Sequence, residues 1–315
     1  MRQKITVNFQ KKASVEERFQ QFLSNCAARG LSEKTMRGYK NHLHCLSKYL
    51  DIAIPLSALT KSEVEMAVAH MRKEELSPNS ICSYLRTFKV FLSWCKEEGY
   101  ADITIPAYKP RETIKETYSD EELKKLLEKP ATNCSFCEYR SWIVIQFLLN
   151  SGCRASTIRN IQNRDVDLES RQVLFRHTKT RKVQVIPLCS TLVAHLKDYM
   201  RIRKGEPEDY LFCNEHGEML TENALRLAIV RYNQQRGVKR TSIHMFRHTF
   251  ARKYLLDCGG NAFTLQKLLG HSTLEMTKRY CAIFNADIAN GFDNLSPLEQ
   301  LGAHNARLTM PKKRK

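Results

Sequence analysis

The sequence predicts a mainly α-helical protein of two domains, the second carrying a small antiparallel β-sheet, on three observations. Apolar residues recur at helical spacing between Ser/Thr caps and glycine stops through the first hundred residues. A stretch at 101–115, ADITIPAYKPRETIK, holds two prolines and no helical period, as a linker does. Beyond it the apolar pattern switches once to strict alternation, around residues 172–187, before helical spacing returns.

In chain order, residues 1–13 read as an N-terminal tail, and Ser14 with Glu17 forms a capping box that opens the first helix. Its apolar series is Val15, Phe19, Phe22, Leu23 and Cys26, and Gly30 closes it. Ser32 opens a second helix to about Leu50, Thr60 with Glu63 caps a third through Met71, and Ser77-Pro78 places proline in the first turn of a fourth ending near Gly99. Residues 14–100 are therefore expected to form a small helical bundle, with 101–115 leading into a second domain from 116. There, Ser119-Asp120-Glu121-Glu122 starts a helix, and the apolar run at 139–150 forms another, stopped by Gly152. Two strands, 172–176 and 183–187, flank a basic turn at 177–182. Helices then resume near Thr191 and continue, with glycine breaks, to about Phe292.

Composition narrows the partners. The 315 residues include 51 Lys and Arg against 33 Asp and Glu, a formal charge of +18, and 42% are hydrophobic. That balance suits a polyanion binder with sizeable cores and excludes a disordered or collagen-like chain. The charge is shared: residues 1–110 carry 17 basic and 11 acidic side chains, and residues 111–315 carry 34 and 22. Two linked positive domains are suited to closing around a duplex, because each neutralised phosphate releases counterions. No apolar run approaches the ~20 residues of a membrane span, and the N-terminus lacks the apolar region of a secretory signal. A cytoplasmic, reducing location follows as an expectation, with the eleven cysteines as thiols. Cys134 and Cys137 form the one C-x-x-C, without a second pair to complete a zinc site.

Several polar residues stand where packing alone would not ask for them. His244 and Arg247 share a face at the start of an amphipathic helix by their i, i+3 spacing. His271 follows the end of a short helix at Leu268-Leu269-Gly270, and Tyr280 lies nine residues further on. Arg154 occupies the turn after a buried helix, and Lys179 the exposed turn between the two strands.

Together the segments SGCRAS, HTKTRKVQVIPL, HMFRHTFA and LGHSTLEMTKRY resemble, in order and interval, the four signature boxes of the tyrosine recombinases, or phage integrase family. The N-terminal bundle is similar to that family's SAM-like core-binding domain, so the resemblance covers the whole chain. It implies a catalytic domain at 116–301 and a site-specific DNA recombinase, of mobile-element or phage integrase type, that works without metal or ATP. By the resemblance, Tyr280 is the nucleophile that forms a 3′-phosphotyrosyl bond, and Arg154 and Arg247 bind the non-bridging phosphate oxygens. Lys179 is the general acid for the leaving 5′-oxygen, His244 helps accept the tyrosine proton, and His271 donates to the transition-state phosphate. One position departs: the family's usual Glu or Asp three residues after the first arginine is Thr157 here, so weaker orientation of Arg154, or a substitute carboxylate, is expected.

The resemblance further implies that two N-terminal helices cross adjacent major grooves, with Lys34, Arg37, Lys40, Arg86 and Lys89 as candidates for phosphate or base contacts. Apolar residues between 282 and 301 would dock on a neighbouring protomer, or else on their own domain; the first arrangement builds a homotetramer on two double-stranded DNA sites, with DNA-bending accessory proteins as further candidate partners. The tail at 302–315 ends in PKKRK, which reads as a DNA-clinging extension; it also resembles a nuclear localisation signal. Two rival functions share parts of this pattern: a type IB topoisomerase, with the same chemistry, and a DNA-binding regulator with an inert site. The intact set of six residues argues against the regulator.

Overall fold

The computed structural model describes residues 13–106, 108, 116–177 and 183–278, of which Met276 and Lys278 are described by backbone alone. The chain divides into two compact units, Met1–Thr113 and Ile114–Lys315.

Among the described residues, the first unit is a bundle of four α-helices: α1 (Val15–Ala28), α2 (Glu33–Leu46), α3 (Lys61–Lys73) and α4 (Pro78–Glu97). The caps are where the side chains place them. Ser14 and Glu17, and again Thr60 and Glu63, exchange side-chain to backbone hydrogen bonds, so each pair satisfies two amides that the first helical turn leaves open. The apolar stripes of the helices meet in an aromatic core, in which Phe19 and Phe91 pack edge to face with ring centroids 5.2 Å apart. The second helix is shorter than its sequence pattern suggests. It stops at Leu46, and Ser47–Tyr49 turn. The Tyr49 hydroxyl donates to Glu74 at 2.7 Å, and Leu50 is buried beyond the turn, so tertiary contacts end the helix before its apolar pattern does.

The second unit contains α5 (Asp120–Leu127), α6 (Phe136–Ser151), α7 (Ala155–Arg159), β1 (Val166–Asp167), β2 (Gln172–Phe175), β3 (Gln184–Pro187), α8 (Ser190–Arg203), α9 (Glu222–Gln235), α10 (Ile243–Leu256), α11 (Ala262–Leu269) and α12 (Leu274–Lys278). Helix α6 forms the centre. Trp142, Ile143, Val144, Ile145, Phe147 and Leu148 are all buried, which is why its sequence is apolar on every side rather than along one stripe. The sheet is antiparallel in the order β1-β2-β3, with Phe175 opposite Gln184 at the end where the chain connects β2 to β3. Strand β1 adds a third strand to the expected two; at two residues it is too short to show alternation. The two longer strands are each one residue shorter than the alternation, ending at Phe175 and beginning at Gln184.

Gly152 ends α6 in the left-handed conformation, φ 58°, which a side chain adopts at a cost. Space excludes one as well: a Cβ there would stand 2.4 Å from Phe250 and 2.8 Å from Leu269. The glycine thus lets α10 and α11 close on the end of α6, and the candidate chemistry gathers at that junction. Among the described residues, no helix is long and apolar enough to cross a membrane, no group of three or more His, Cys, Asp and Glu side chains is placed to hold a metal ion, and the ten cysteines are free thiols.

Candidate active site

Three of the six expected residues come together where α6, α10 and α11 end or begin. Arg247, in the second turn of α10, is 5% exposed, and its guanidinium is aimed by backbone. Nη1 donates to Gly152 O at 2.8 Å and Nη2 to Leu269 O at 2.9 Å, the carbonyls at the C-terminal ends of α6 and α11. Helix ends carry open carbonyls and partial negative charge, so they hold a buried cation in a fixed orientation. Arg154 caps the start of α7 two residues after Gly152, with extended backbone and a half-buried side chain.

His271 joins the cluster directly. It is buried; its Nε2 lies 2.8 Å from Arg247 Nη2 and its Nδ1 2.8 Å from Thr277 Oγ1. A guanidinium only donates, so Nε2 is the acceptor and the ring proton sits on Nδ1, donated to Thr277. Burial, followed by the charges of Arg247 and Arg154, lowers the pKa of His271 to about 4, so the ring is neutral near pH 7. Arg154, next to Cys153 on the segment that follows Gly152, adds its charge to that of Arg247 in disfavouring the protonated ring. Cys153, buried between the two arginine-bearing segments, has its thiol pushed up to about 11 by desolvation, so it is no nucleophile at neutral pH.

Of the remaining three expected residues, only His244 is among the described residues. His244 is exposed in the first turn of α10 and makes no hydrogen bond to the cluster. Lys179 and Tyr280 lie outside the described residues, as do the segment 282–301 and the PKKRK tail. Thr157 is buried in α7, and among the described residues no carboxylate pairs with Arg154. On the first unit, Lys34, Arg37 and Lys40 of α2 and Arg86 and Lys89 of α4 are all exposed. The two helices are tied to each other by a 2.7 Å contact between His42 Nδ1 and Thr87 Oγ1.

Sequence reasoning missed the groups that orient the site. The carbonyls of Gly152 and Leu269 carry no side-chain signal, although the glycines Gly152 and Gly270 mark the turns that expose them. Thr277, three residues before Tyr280, shows no polar role in its sequence pattern.

Comparison with known proteins identifies the family. Residues 116–286 match the phage integrase family, and residues 17–99 match the phage integrase N-terminal SAM-like domain. Similar relatives include the tyrosine recombinase XerC of Shewanella amazonensis, 25% identical over 292 residues that cover 90% of this chain and 96% of the relative. The tyrosine recombinase XerA of Pyrococcus furiosus is 26% identical over 290 residues, with the same two coverages of 90% and 96%. Among solved structures, the Tn1549 transposon integrase in complex with transposon right end DNA superposes with a TM-score of 0.72 at 20% identity, covering 92% of this chain and all of that one. A lambda integrase tetramer bound to a Holliday junction gives a TM-score of 0.69 at 17% identity, covering 86% of this chain and 78% of that one. The chain belongs to the phage integrase family, the tyrosine recombinases, and is an enzyme of that class.

Proposed function

We propose that the protein is a site-specific recombinase of a mobile element or phage, integrating or excising DNA through a covalent 3′-phosphotyrosyl intermediate. The observation that carries this reading is the Arg247–His271 pair, with the charge of Arg154 added to that of Arg247, a rigid cationic recess of the kind that stabilises a pentacoordinate phosphate. In the reaction, the Tyr280 oxygen forms a bond to phosphorus and the bond from phosphorus to the 5′-oxygen breaks. The tyrosine proton passes to His244 or solvent, and Lys179 gives a proton to the leaving 5′-oxygen. Phosphodiester energy is kept in the new ester, so rejoining needs no ATP. A phenol with a pKa near 10 is eased towards its anion by the same arginine charges that bind the phosphate.

His271 has a defined task in this sequence of events. Its N–H faces Thr277 and its other nitrogen holds Arg247, so it donates to a phosphate oxygen only after Arg247 releases Nε2 and the ring changes tautomer. An arriving phosphate oxygen that accepts the Nη2–H now given to Nε2 permits that exchange, with Arg247 still held by Gly152 O and Leu269 O. Lys34, Arg37, Lys40, Arg86 and Lys89 contact the duplex. The segment 282–301 docks on a neighbouring protomer to build a tetramer on two sites, as in the tetramer of the structural neighbour, with DNA-bending proteins assisting.

The test is to incubate the purified chain and its Tyr280→Phe variant, without magnesium, with labelled DNA spanning the ends of its own element, and to run the products on a denaturing protein gel. A Tyr280-dependent band of protein joined to DNA is expected. Absence of that band, on DNA that the protein demonstrably binds, would overturn the reading in favour of a binding regulator.

A further inference from the structure

Two residues of α2 weaken the helix and serve nothing inside the protein. Gly38 stands near its middle, where glycine is less favourable than alanine because it has more backbone freedom to lose. A Cβ there would meet no atom within 4 Å, so no packing neighbour requires the glycine. Asn41, three residues on, is of a type whose amide competes for backbone groups and disfavours helix interiors. It is exposed, and its side chain makes no hydrogen bond to the described residues. The spacing of three puts both positions on one face of the helix. Local preference is thus broken twice on that face without a compensating contact in the chain, the mark of a surface shaped for something outside it.

The charges around this face give the class of partner. Beyond its first residue α2 holds no Asp or Glu, and α4 holds none before its last, Glu97, whereas α1 carries Glu16 and Glu17 and α3 carries Glu63 and Glu65. Lys61 of α3 pairs with Glu65 at 3.4 Å, but among the described residues Arg37, Lys40, Arg86 and Lys89 have no carboxylate partner. Unneutralised cations gathered on two of four helices favour a polyanion on that side of the bundle. Arg37 and Asn41, four apart, share the side of α2 that faces away from buried Leu43 and Leu46, and Gly38 adjoins them at the edge next to α4. That edge is braced. His42, one turn after Gly38, meets Thr87 of α4, and its ring lies 5.6 Å from that of Tyr84.

We infer that α2 enters the major groove of a duplex with its Gly38 edge against the DNA, and that Asn41 is the base-reading side chain, its amide pairing with an adenine. This rests on the reading of α2 as a duplex-contacting helix. The major groove admits a helix, and a missing side chain lets the helix backbone come closer to what it binds. An Asn amide offers one donor group and one acceptor, which match the N7 acceptor and N6 donor that adenine presents there.

The test is an in vitro selection in which full-length wild type and Asn41→Ala each enrich a pool of random-sequence duplexes, followed by affinity measurements on the duplex that wild type selects. Wild type should select an A·T pair whose replacement by G·C weakens its binding roughly 5–150-fold, the discrimination of one bidentate base contact. Asn41→Ala should select the rest of the same site without that pair and bind the two duplexes equally. Gly38→Ala and Gly38→Leu place better helix formers in α2, so both should melt at or above the wild-type temperature. Both should nevertheless bind the selected duplex roughly tenfold or more weakly, because the added carbons are forced into a close contact. A base preference that Asn41→Ala retains in full, or Gly38 variants that bind as wild type does, would overturn the inference alone. A double variant, Lys34→Gln with Arg37→Gln, should lower the slope of log affinity against log salt by about two. Unchanged affinity and slope in that variant would take α2 off the duplex, overturning that reading and the inference with it.

Discussion

The two sets of cations on this chain are held in opposite ways. Arg247 is almost wholly buried and aimed by two main-chain carbonyls and an imidazole, whereas Lys34, Arg37, Lys40, Arg86 and Lys89 stand exposed on α2 and α4. The difference separates two kinds of work. A group that stabilises a transition state has to be in place before charge develops, and its orientation is set when the protein folds. A group that attracts a polyanion needs only its charge and a long stem, and its contribution is screened by salt. The first kind is intolerant of small changes in shape; the second tolerates them and is additive.

This contrast makes its largest demand at Arg247. Lysine keeps the charge but cannot donate to Gly152 O, Leu269 O and a phosphate from one planar head. Arg247→Lys should reduce single-turnover cleavage by roughly 10²–10³-fold while the affinity for DNA changes little. Comparable losses in cleavage and affinity would break the distinction between the two sets.

A second difference concerns pH. The folded His271 titrates near 4 instead of 6.5, so below pH 6.5 the unfolded chain binds the proton more readily than the folded one. The contribution of the neutral ring to stability is complete above about pH 6.5 and is lost as pH falls towards 4. Melting temperatures measured across that window should fall more steeply for wild type than for His271→Gln, and parallel curves would show that the imidazole is not held neutral by its surroundings.

The smallest effect belongs to the exposed set. Arg86→Ala should weaken DNA binding uniformly across sequences and lower the slope of log affinity against log salt by about one. An unchanged slope would remove Arg86 from the interface and sharpen the choice among the remaining cations.

Much of the architecture was legible because it is local. Ser14 with Glu17, Thr60 with Glu63, and Ser119 with Glu122 announce helix starts through side chains that reach only three residues, and each forms its capping box. The end of α2 was not, since Tyr49 reaches Glu74 across 25 residues. The same applies to the site. Arg154, Arg247 and His271 are recognisable by their motifs, yet nothing in the spacing of Arg247 from Gly152, 95 residues earlier, says that a carbonyl will orient it. Gln184 is the extreme case: on an alternating strand it reads as an ordinary polar residue, and its partners, the carbonyls of Lys267 and Leu268, lie 83 and 84 residues away. Main-chain acceptors leave no trace in a sequence, so the orienting half of a site is the half that a sequence conceals.

The proposed chemistry requires that Tyr280 itself becomes esterified to DNA. The most direct measurement is to isolate the covalent adduct, digest its protein and DNA, and locate the remaining nucleotide by mass spectrometry. A 3′-linked nucleotide on the peptide that contains Tyr280 is the result predicted; a nucleotide on any other residue would contradict the account.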